Sequence, residues 1–176
     1  MTLMLGTGWA QQSIAQEKTV MVGGAPMYPS KNIVENAVNS KDHTTLVAAV
    51  KAADLVETLQ SPGPFTVFAP VNAAFNKLPA GTVDNLLKPE NKTQLQAILT
   101  YHVVPGRLSS ADLMKQINMN NGKATLKTVQ GESLSFMMKG NTLWVEDTKG
   151  NKAKVTTKDV FQSNGVIHVI DKVLMP

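Results

Sequence analysis

Residues 164–176 read NGVIHVIDKVLMP, and residues 66–75 read TVFAPVNAAF. Each stretch contains a short apolar strand followed by a proline, which cannot donate a hydrogen bond to a strand ladder. In residues 166–170 both faces are apolar apart from His168, and such a continuous run is typical of a central strand that is buried on both sides. The remaining polar groups are single turn or strand residues. The two stretches therefore indicate a scaffold and contain no catalytic set.

The hydrophobic period of the chain changes near residue 120. Before it, apolar residues recur at helical spacing, as in Leu46, Val47 and Val50. Beyond it, apolar and polar residues alternate, and Gly-Asn pairs at 140–141 and 150–151 have the composition of tight hairpin turns. Helices in the first two thirds and strands in the last third predict an α+β fold.

Local signals predict where several elements begin and end. Asn72 is a predicted N-cap of a short helix, and Ser109 with Asp112 has the spacing of a capping box. Residues 101–104 (YHVV) are predicted to form a strand, so that the first two side chains point to opposite faces.

Length and composition limit the class of protein. A chain of 176 residues lies within the usual range for one domain with one substantial core. A hydrophobic content of 43% with 17% charged residues excludes a disordered polymer. The near-neutral mean hydropathy excludes a multi-span membrane protein.

The N-terminus differs in composition from the rest of the chain. Residues 1–10 form a short apolar run that is too short to span a bilayer. Small residues at Ala10 and Ala15 suit cleavage by signal peptidase, although basic leading residues are missing. We therefore predict a signal-peptide remnant at 1–15, a flexible N-terminal linker at 16–31 and a single domain at 32–176, with no transmembrane segment.

The basic residues are almost all lysine. Lys and Arg total 17 against 13 Asp and Glu, and Arg107 is the sole arginine. Nucleic-acid binding is not expected, because base recognition usually relies on arginine. Eight basic residues follow position 120, against five acidic ones. Two interpretations of this excess stay open, a solvated strand face and weak attraction to acidic polysaccharide or anionic membrane.

Catalytic and metal-binding patterns are missing from the sequence. It has no cysteine, and His43, His102 and His168 lack the spacing of metal ligands. No nucleophile elbow or phosphate-binding glycine loop occurs. The adjacent carboxylates of Glu146 and Asp147 fall at a predicted strand end, where solvation explains them. We therefore predict no metal, no cofactor and no enzymatic activity.

Three segments in order carry a family resemblance. Residues 65–75, the Tyr101-His102 pair and residues 164–171 with Val173, Leu174 and Pro176 resemble the signatures of the fasciclin-type (FAS1, beta-Ig-H3/fasciclin) domain. The resemblance runs from about Asn32 to Pro176. It implies a fasciclin-type wedge, in which β-sandwich-like antiparallel sheets are flanked by several short helices. It also implies a secreted, periplasmic or cell-surface location, and the short single-domain architecture suggests a bacterial source.

The resemblance also implies a partner-binding site. In animal members, an Asp-Ile pair just before the closing signature and the region of the Tyr-His pair are implicated in adhesion. Asp159-Val160 and Tyr101-His102 occupy these places here, with Val160 replacing the Ile. Structural roles stay open for these residues, namely a core histidine bonded to backbone for His102 and a turn carboxylate for Asp159.

Two functions are expected from this resemblance. The first is a non-catalytic adhesion module that binds a cell-surface protein or glycan, or matrix. The alternative is a carrier of a small hydrophobic ligand, a lipid or pigment, as in some members of the family. Methionine supplies adaptable apolar surface for such a ligand. The methionines in question are Met114, Met119, Met137, Met138 and Met175.

Overall fold

The computed structural model describes residues 19–176, which contain seven α-helices and nine β-strands. The helices are α1 (Ile33–Ala37), α2 (Thr44–Ala52), α3 (Val56–Gln60), α4 (Asn72–Asn76), α5 (Thr82–Leu86), α6 (Lys92–Tyr101) and α7 (Ser110–Met119). The strands are β1 (Val20–Val22), β2 (Ala25–Met27), β3 (Phe65–Pro70), β4 (Val103–Pro105), β5 (Ala124–Lys127), β6 (Ser133–Lys139), β7 (Thr142–Glu146), β8 (Lys152–Gln162) and β9 (Gly165–Ile170). Short 3-10 turns at Lys41–His43 and Pro89–Asn91 precede α2 and α6. The predicted α+β class is confirmed.

Seven strands form one mixed sheet in the order β4-β3-β9-β8-β7-β6-β5. Strand β9 lies between β3 and β8, as its apolar sequence predicted. The predicted turns at Gly140 and Gly150 are confirmed, because they join β6, β7 and β8 into an antiparallel meander. One pairing differs from the expected antiparallel arrangement, since β3 and β9 run parallel.

Strand β8 links two halves of the sheet. Its first residues pair with β7, and its last residues pair with β9. Between Val155 and Val160 the register shifts, and Asp159 adopts a positive φ of 57°. Such bulges bend a strand and increase its twist. The bend produces the wedge, with two apolar clusters on its inner surfaces.

The two clusters are built from different elements. The first lies between the helices that precede α7 and the β3–β9 part of the sheet. The second lies between α7 and the inner face of β5 to β8, where Leu113 and Ile117 pack near Phe136 and Val145. The outer face of β5 to β8 is therefore left to solvent and polar residues.

Residue identity at the turn into β9 is set by close contacts. The side chain of Asn164 accepts a hydrogen bond from the Ile33 amide at 3.0 Å and donates to the Leu59 carbonyl at 2.6 Å. Gly165 lies directly against the carbonyl of Phe65, and a Cβ atom there would collide with that oxygen. The Asn-Gly pair thus joins α1, the end of α3 and β3.

Within the predicted flexible linker at 16–31, the structure places a hairpin over residues 20–27. Strands β1 and β2 form a hairpin through Gly23 and Gly24, both at positive φ. Val22 is 6% exposed and Met27 is 2% exposed, and both belong to the first cluster. The turn residues of this hairpin resemble linker composition, and only alternate side chains are buried. Residues 1–18, which include the predicted signal-peptide remnant, lie outside the described residues.

Two local predictions are wrong and one is confirmed. Tyr101 ends α6, and β4 begins only at Val103. Asn72 does not cap its own helix, because its side chain accepts from the Thr45 amide at 3.0 Å instead. The capping box of Ser109 and Asp112 is present at the start of α7.

Candidate binding site

The carboxylate of Asp159 joins the β8 bulge to helix α7. Its Oδ1 accepts a hydrogen bond from the Ser110 amide at 2.6 Å, and its Oδ2 accepts from the Ser110 hydroxyl. The Ser110 amide belongs to the first turn of α7, where backbone N–H groups lack partners within the helix and a negative charge is favourable. The positive φ of Asp159 is a conformation that Asp tolerates better than most residues. The carboxylate of this bulge residue therefore has both oxygens hydrogen-bonded to Ser110.

His168 supports the same bulge from the central strand. Its Nδ1 accepts a hydrogen bond from the Asp159 amide at 3.2 Å, and its Nε2 donates to the Leu108 carbonyl at 2.8 Å. The ring also stacks on Phe68, with 5.5 Å between the ring centroids. Burial lowers the pKa of His168 from its ordinary value. A neutral ring protonated at Nε2 satisfies both contacts.

The Tyr101-His102 pair links α6 to the end of the chain. The Tyr101 hydroxyl donates to the Ser133 carbonyl at 2.8 Å and accepts from the Thr148 amide at 3.1 Å. His102 donates from Nδ1 to the Ile98 carbonyl at 2.8 Å, and its Nε2 accepts from the Leu174 amide at 3.0 Å. Burial lowers the pKa of His102 to about 4. This ring is therefore neutral at physiological pH and bonded to backbone at both nitrogens.

Asp147 completes this connection, although its sequence position suggested a solvated group. It is buried and accepts hydrogen bonds from the amides of Lys149, Asn151 and Met175, each within 3.0 Å. Its partners include the C-terminal segment, which lies far away in sequence. Its place in a tight Asp-x-x-Gly turn could have indicated the bonds to Lys149 and Asn151. No local pattern indicates the bond to Met175.

Three of the four residues predicted to contact a partner lie inside the fold. Tyr101 is 0% exposed, His102 is 3% exposed and Val160 is 0% exposed. Asp159 is half-buried. The structure does not bring the two pairs into one exposed patch, since each pair joins a different set of elements. Burial does not fit direct contact by the first three side chains, and the partner-binding prediction stays a prediction.

The first cluster contains a small apolar cavity of about 60 Å³. Helices α1, α2 and α3 form its walls together with β3, and the lining includes Val34, Leu46, Val50, Leu59 and Val67. Among the methionines, Met27 lines it, whereas the five C-terminal methionines that were expected to supply a ligand surface do not. Met114 and Met119 are instead exposed on α7.

Comparison with known proteins identifies the family. The sequence model of the Fasciclin domain family matches residues 41–176 of this chain. The chain belongs to the fasciclin domain family.

Relatives of this fasciclin domain occur in bacteria and in animals. The chain is 49% identical to protein sll1483 of Synechocystis sp. over 160 residues, which cover 91% of this chain and 82% of that protein. It is 43% identical to immunogenic protein MPB70 of Mycobacterium bovis over 145 residues, covering 80% of this chain and 66% of that protein. Human periostin is 33% identical over 135 residues, which are 77% of this chain and 15% of periostin.

A solved structure confirms the fold of the fasciclin domain. The chain superimposes with a TM-score of 0.74 on a FAS1 domain pair from the insect cell adhesion molecule fasciclin I, over 92% of this chain and 59% of that one. At 19% sequence identity this likeness shows a common fold. The three signature segments in this fasciclin domain are therefore the residues that form β3, the α6–β4 junction and β9.

Among residues 19–176, no group of three or more His, Asp or Glu side chains is placed to hold a metal ion. In the same part of the chain, no helix combines the length and apolar character that crossing a bilayer requires.

Proposed function

We propose that this fasciclin domain is a secreted or surface-exposed adhesion and binding module that contacts a cell-surface protein, a glycan or matrix without catalysing a reaction. Family membership over residues 41–176 carries this proposal. The solved neighbour with the same fold comes from a cell adhesion molecule. A compact body with buried, backbone-bonded signature residues suits a rigid module that displays surface groups.

The hydrogen bonding of two of the three histidines supports a role without catalysis. His102 and His168 use both ring nitrogens in contacts with backbone groups. A general base must reach the proton that it abstracts from a substrate. These rings have no free nitrogen to offer, so their chemistry is structural.

For the signature residues we propose a supporting role in partner binding. Asp159 anchors α7, and Tyr101 with His102 fixes the chain around α6 and the C-terminus. Exposed neighbours of the Asp159 bulge, such as Lys158 and Phe161, are available for contact. Replacing Asp159 should therefore weaken binding through displacement of these neighbours.

Pull-down from the native cell envelope or host surface tests this function. Folded wild-type protein should retain a specific surface component at physiological salt, and Asp159→Ala should retain less of it. Circular dichroism must show that both proteins are folded. Failure of the folded wild-type protein to retain any component would refute the adhesion role.

Export is part of the proposal and has its own test. Cleavage after Ala10 or Ala15 is expected if residues 1–15 act in export. N-terminal sequencing of protein recovered outside the cytoplasm should begin at residue 11 or 16. Recovery of the protein with residues 1–15 intact and only inside cells would contradict export.

The apolar cavity favours a second candidate, the carriage of a small hydrophobic ligand. Its lining is almost wholly apolar, as a lipid tail or pigment would require. Its volume of about 60 Å³ is far below the roughly 300–1,000 Å³ of ordinary ligand pockets. Helices α1 to α3 would therefore have to move apart to admit such a ligand.

Native mass spectrometry separates the two candidates. Protein purified from its own source should carry a retained lipid or pigment if it is a carrier, and an absorption spectrum would reveal a pigment. A bare chain supports adhesion. The mass of a bound ligand would indicate its size, and therefore how far the cavity of about 60 Å³ must expand to hold it.

A further inference from the structure

The outer face of strands β5 to β8 concentrates the positive charge of this protein. Strand register places five lysines on this one side of the sheet, because each alternates with a core residue. We call this surface the lysine face, formed by Lys123, Lys127, Lys139, Lys152 and Lys154. It also carries one carboxylate, Glu146, which leaves four net positive charges. The formal charge of the whole chain is also +4, so the positive and negative charges of all other residues cancel.

Three of these lysines have no carboxylate partner for their ammonium group among the described residues. Lys123 lies 2.7 Å from Glu146, and Lys152 approaches the same carboxylate at 3.9 Å. Within residues 19–176, no carboxylate forms an ion pair with the ammonium group of Lys127, Lys139 or Lys154. All three side chains are exposed, on β5, β6 and β8. The Asp171 carboxylate borders the face beside Lys154, where it accepts a hydrogen bond from the Lys154 backbone amide at 2.9 Å. Lys127 is level with Ser133 at one end of β6, Lys139 lies at the other end of β6, and Lys154 is level with Trp144. These ammonium groups are therefore spread over the face and are not one point charge.

The other groups on the lysine face suit a hydroxylated polymer. Hydroxyl side chains alternate with the lysines, at Thr125, Ser133, Ser135 and Thr142. Trp144 lies at the centre, paired in register with Met137 and Lys154. The Lys139 ammonium lies 5.4 Å from the centroid of the Trp144 ring. The indole N–H is buried beneath its neighbours and has no hydrogen-bond partner in the described part of the chain.

We propose that the lysine face binds an acidic polysaccharide, a linear glycan that carries carboxylate or sulfate groups. Ammonium groups that are spread over the face among hydroxyls complement a polymer that carries repeated anions and hydroxyls. A membrane surface fits less well, because the exposed large apolar residues of the described chain all lie elsewhere. Those residues are Met21, Val38, Met114, Met119, Val129 and Phe161. This inference rests on the proposed adhesion function and names its ligand.

Binding of the full chain to immobilised heparin and to polygalacturonate, with neutral dextran as a blank, tests the inference. The triple variant Lys127→Gln, Lys139→Gln and Lys154→Gln should bind about tenfold more weakly, with a smaller dependence on salt, because fewer counterions are released. The matched control is Lys41→Gln, Lys88→Gln and Lys115→Gln. It changes net charge equally at exposed sites elsewhere and should lose less than about twofold.

Fluorescence locates the bound glycan independently. The sequence has two tryptophans, so Trp9→Phe leaves Trp144 as the single reporter. Its emission should change with saturation by polygalacturonate, because Lys139 leaves the ring when it pairs with an anion. The emission should not change with dextran.

Several outcomes would overturn the inference. They are equal losses in the two triple variants, no binding of either acidic glycan by wild type, or binding to phosphatidylglycerol vesicles without binding to glycan. The proposed adhesion function fails separately, when the wild-type protein adheres to no cell surface or matrix. If both triple variants adhere to cells as wild type does, only the glycan inference fails.

Discussion

His102 is a buried histidine whose neutral ring is part of the fold. Its pKa of about 4 lies below the ordinary 6.5 because burial disfavours the charged ring. The unfolded chain therefore binds more protons than the folded chain between these two values. The contribution of this residue to stability is complete above pH 6.5 and falls as the pH drops towards 4.

The predicted effect of acid on His102 can be measured directly. The ring resonances of His102 should not titrate between pH 8 and about 5.5 in NMR spectra, and they should report an Nδ1–H tautomer. Urea unfolding should show a loss of up to about 3 kcal/mol from this residue between pH 6.5 and 4. Burial also lowers the pKa of His43 and His168, so the total loss should be larger. A His102 titration midpoint near 6.5 would contradict this description.

Asp159 should matter for stability even without any partner. Asp159→Ala removes the acceptor for the amide and hydroxyl of Ser110. Loss of such a helix-start contact should lower the free energy of unfolding by about 1–2 kcal/mol. Asp84→Ala, at an exposed aspartate on α5, is the control and should change it by less than about 0.5 kcal/mol. Equal effects in urea denaturation would rule out the anchoring role.

Helix α2 forms one wall of the apolar cavity, so its packing is incomplete. Val50→Ile adds one methylene into that space and should stabilise the protein by about 1 kcal/mol. Val145→Ile is the matched control, because Val145 is fully buried in the second cluster and does not line the cavity. Overpacking there should destabilise the protein by about 1 kcal/mol or more. Thermal unfolding of both variants checks the two signs, and destabilisation by both would mean that the cavity has no room.

Strand and turn positions could largely be predicted from the sequence. The alternation after residue 120, the two Gly-Asn turns and the apolar run of β9 all have local causes. The capping box at Ser109 is local as well. The end of α6 could not be predicted, because Tyr101 favours strands in isolation and is helical here through contacts with Ser133 and Thr148.

The candidate site was harder to predict, since its residues act over long sequence distances. Asp147 gains its role from Met175, and Asp159 gains its role from Ser110. The lysine excess was visible after residue 120, but only the order β8-β7-β6-β5 shows that these lysines share one face. The alternation within a strand predicts which face of the sheet a lysine lies on. Only the order of the strands shows which lysines are neighbours on that face.

The packed body of the protein includes the N-terminal hairpin. Residues 20–27 bury Val22 and Met27, and the Gly23 carbonyl accepts a hydrogen bond from the Lys41 amide at 3.1 Å. Tyr28 exchanges hydrogen bonds with the buried side chain of Asn36, at 2.9 Å in both directions. Removing the hairpin together with Tyr28 should therefore uncover apolar surface and leave Asn36 with fewer hydrogen-bond partners.

Truncation tests where the stable unit begins. A chain that starts at residue 31 should be less stable than one that starts at residue 19 by roughly 3 kcal/mol or more, because two buried side chains are lost. Urea unfolding of the two chains gives the difference. If the two chains are equally stable, residues 19–30 contribute nothing to stability and behave as the linker that composition predicted.

We propose that the protein acts through its exposed surface, and that the buried signature residues hold this surface in place. Equilibrium binding of labelled, folded protein to intact cells and to matrix at physiological salt tests this most directly. We expect saturable binding that unlabelled wild-type protein displaces and that the Lys127, Lys139 and Lys154 variant displaces poorly. Binding that rises linearly with concentration and does not saturate would contradict a role in adhesion, and so would the absence of any binding of the folded protein to cells and matrix.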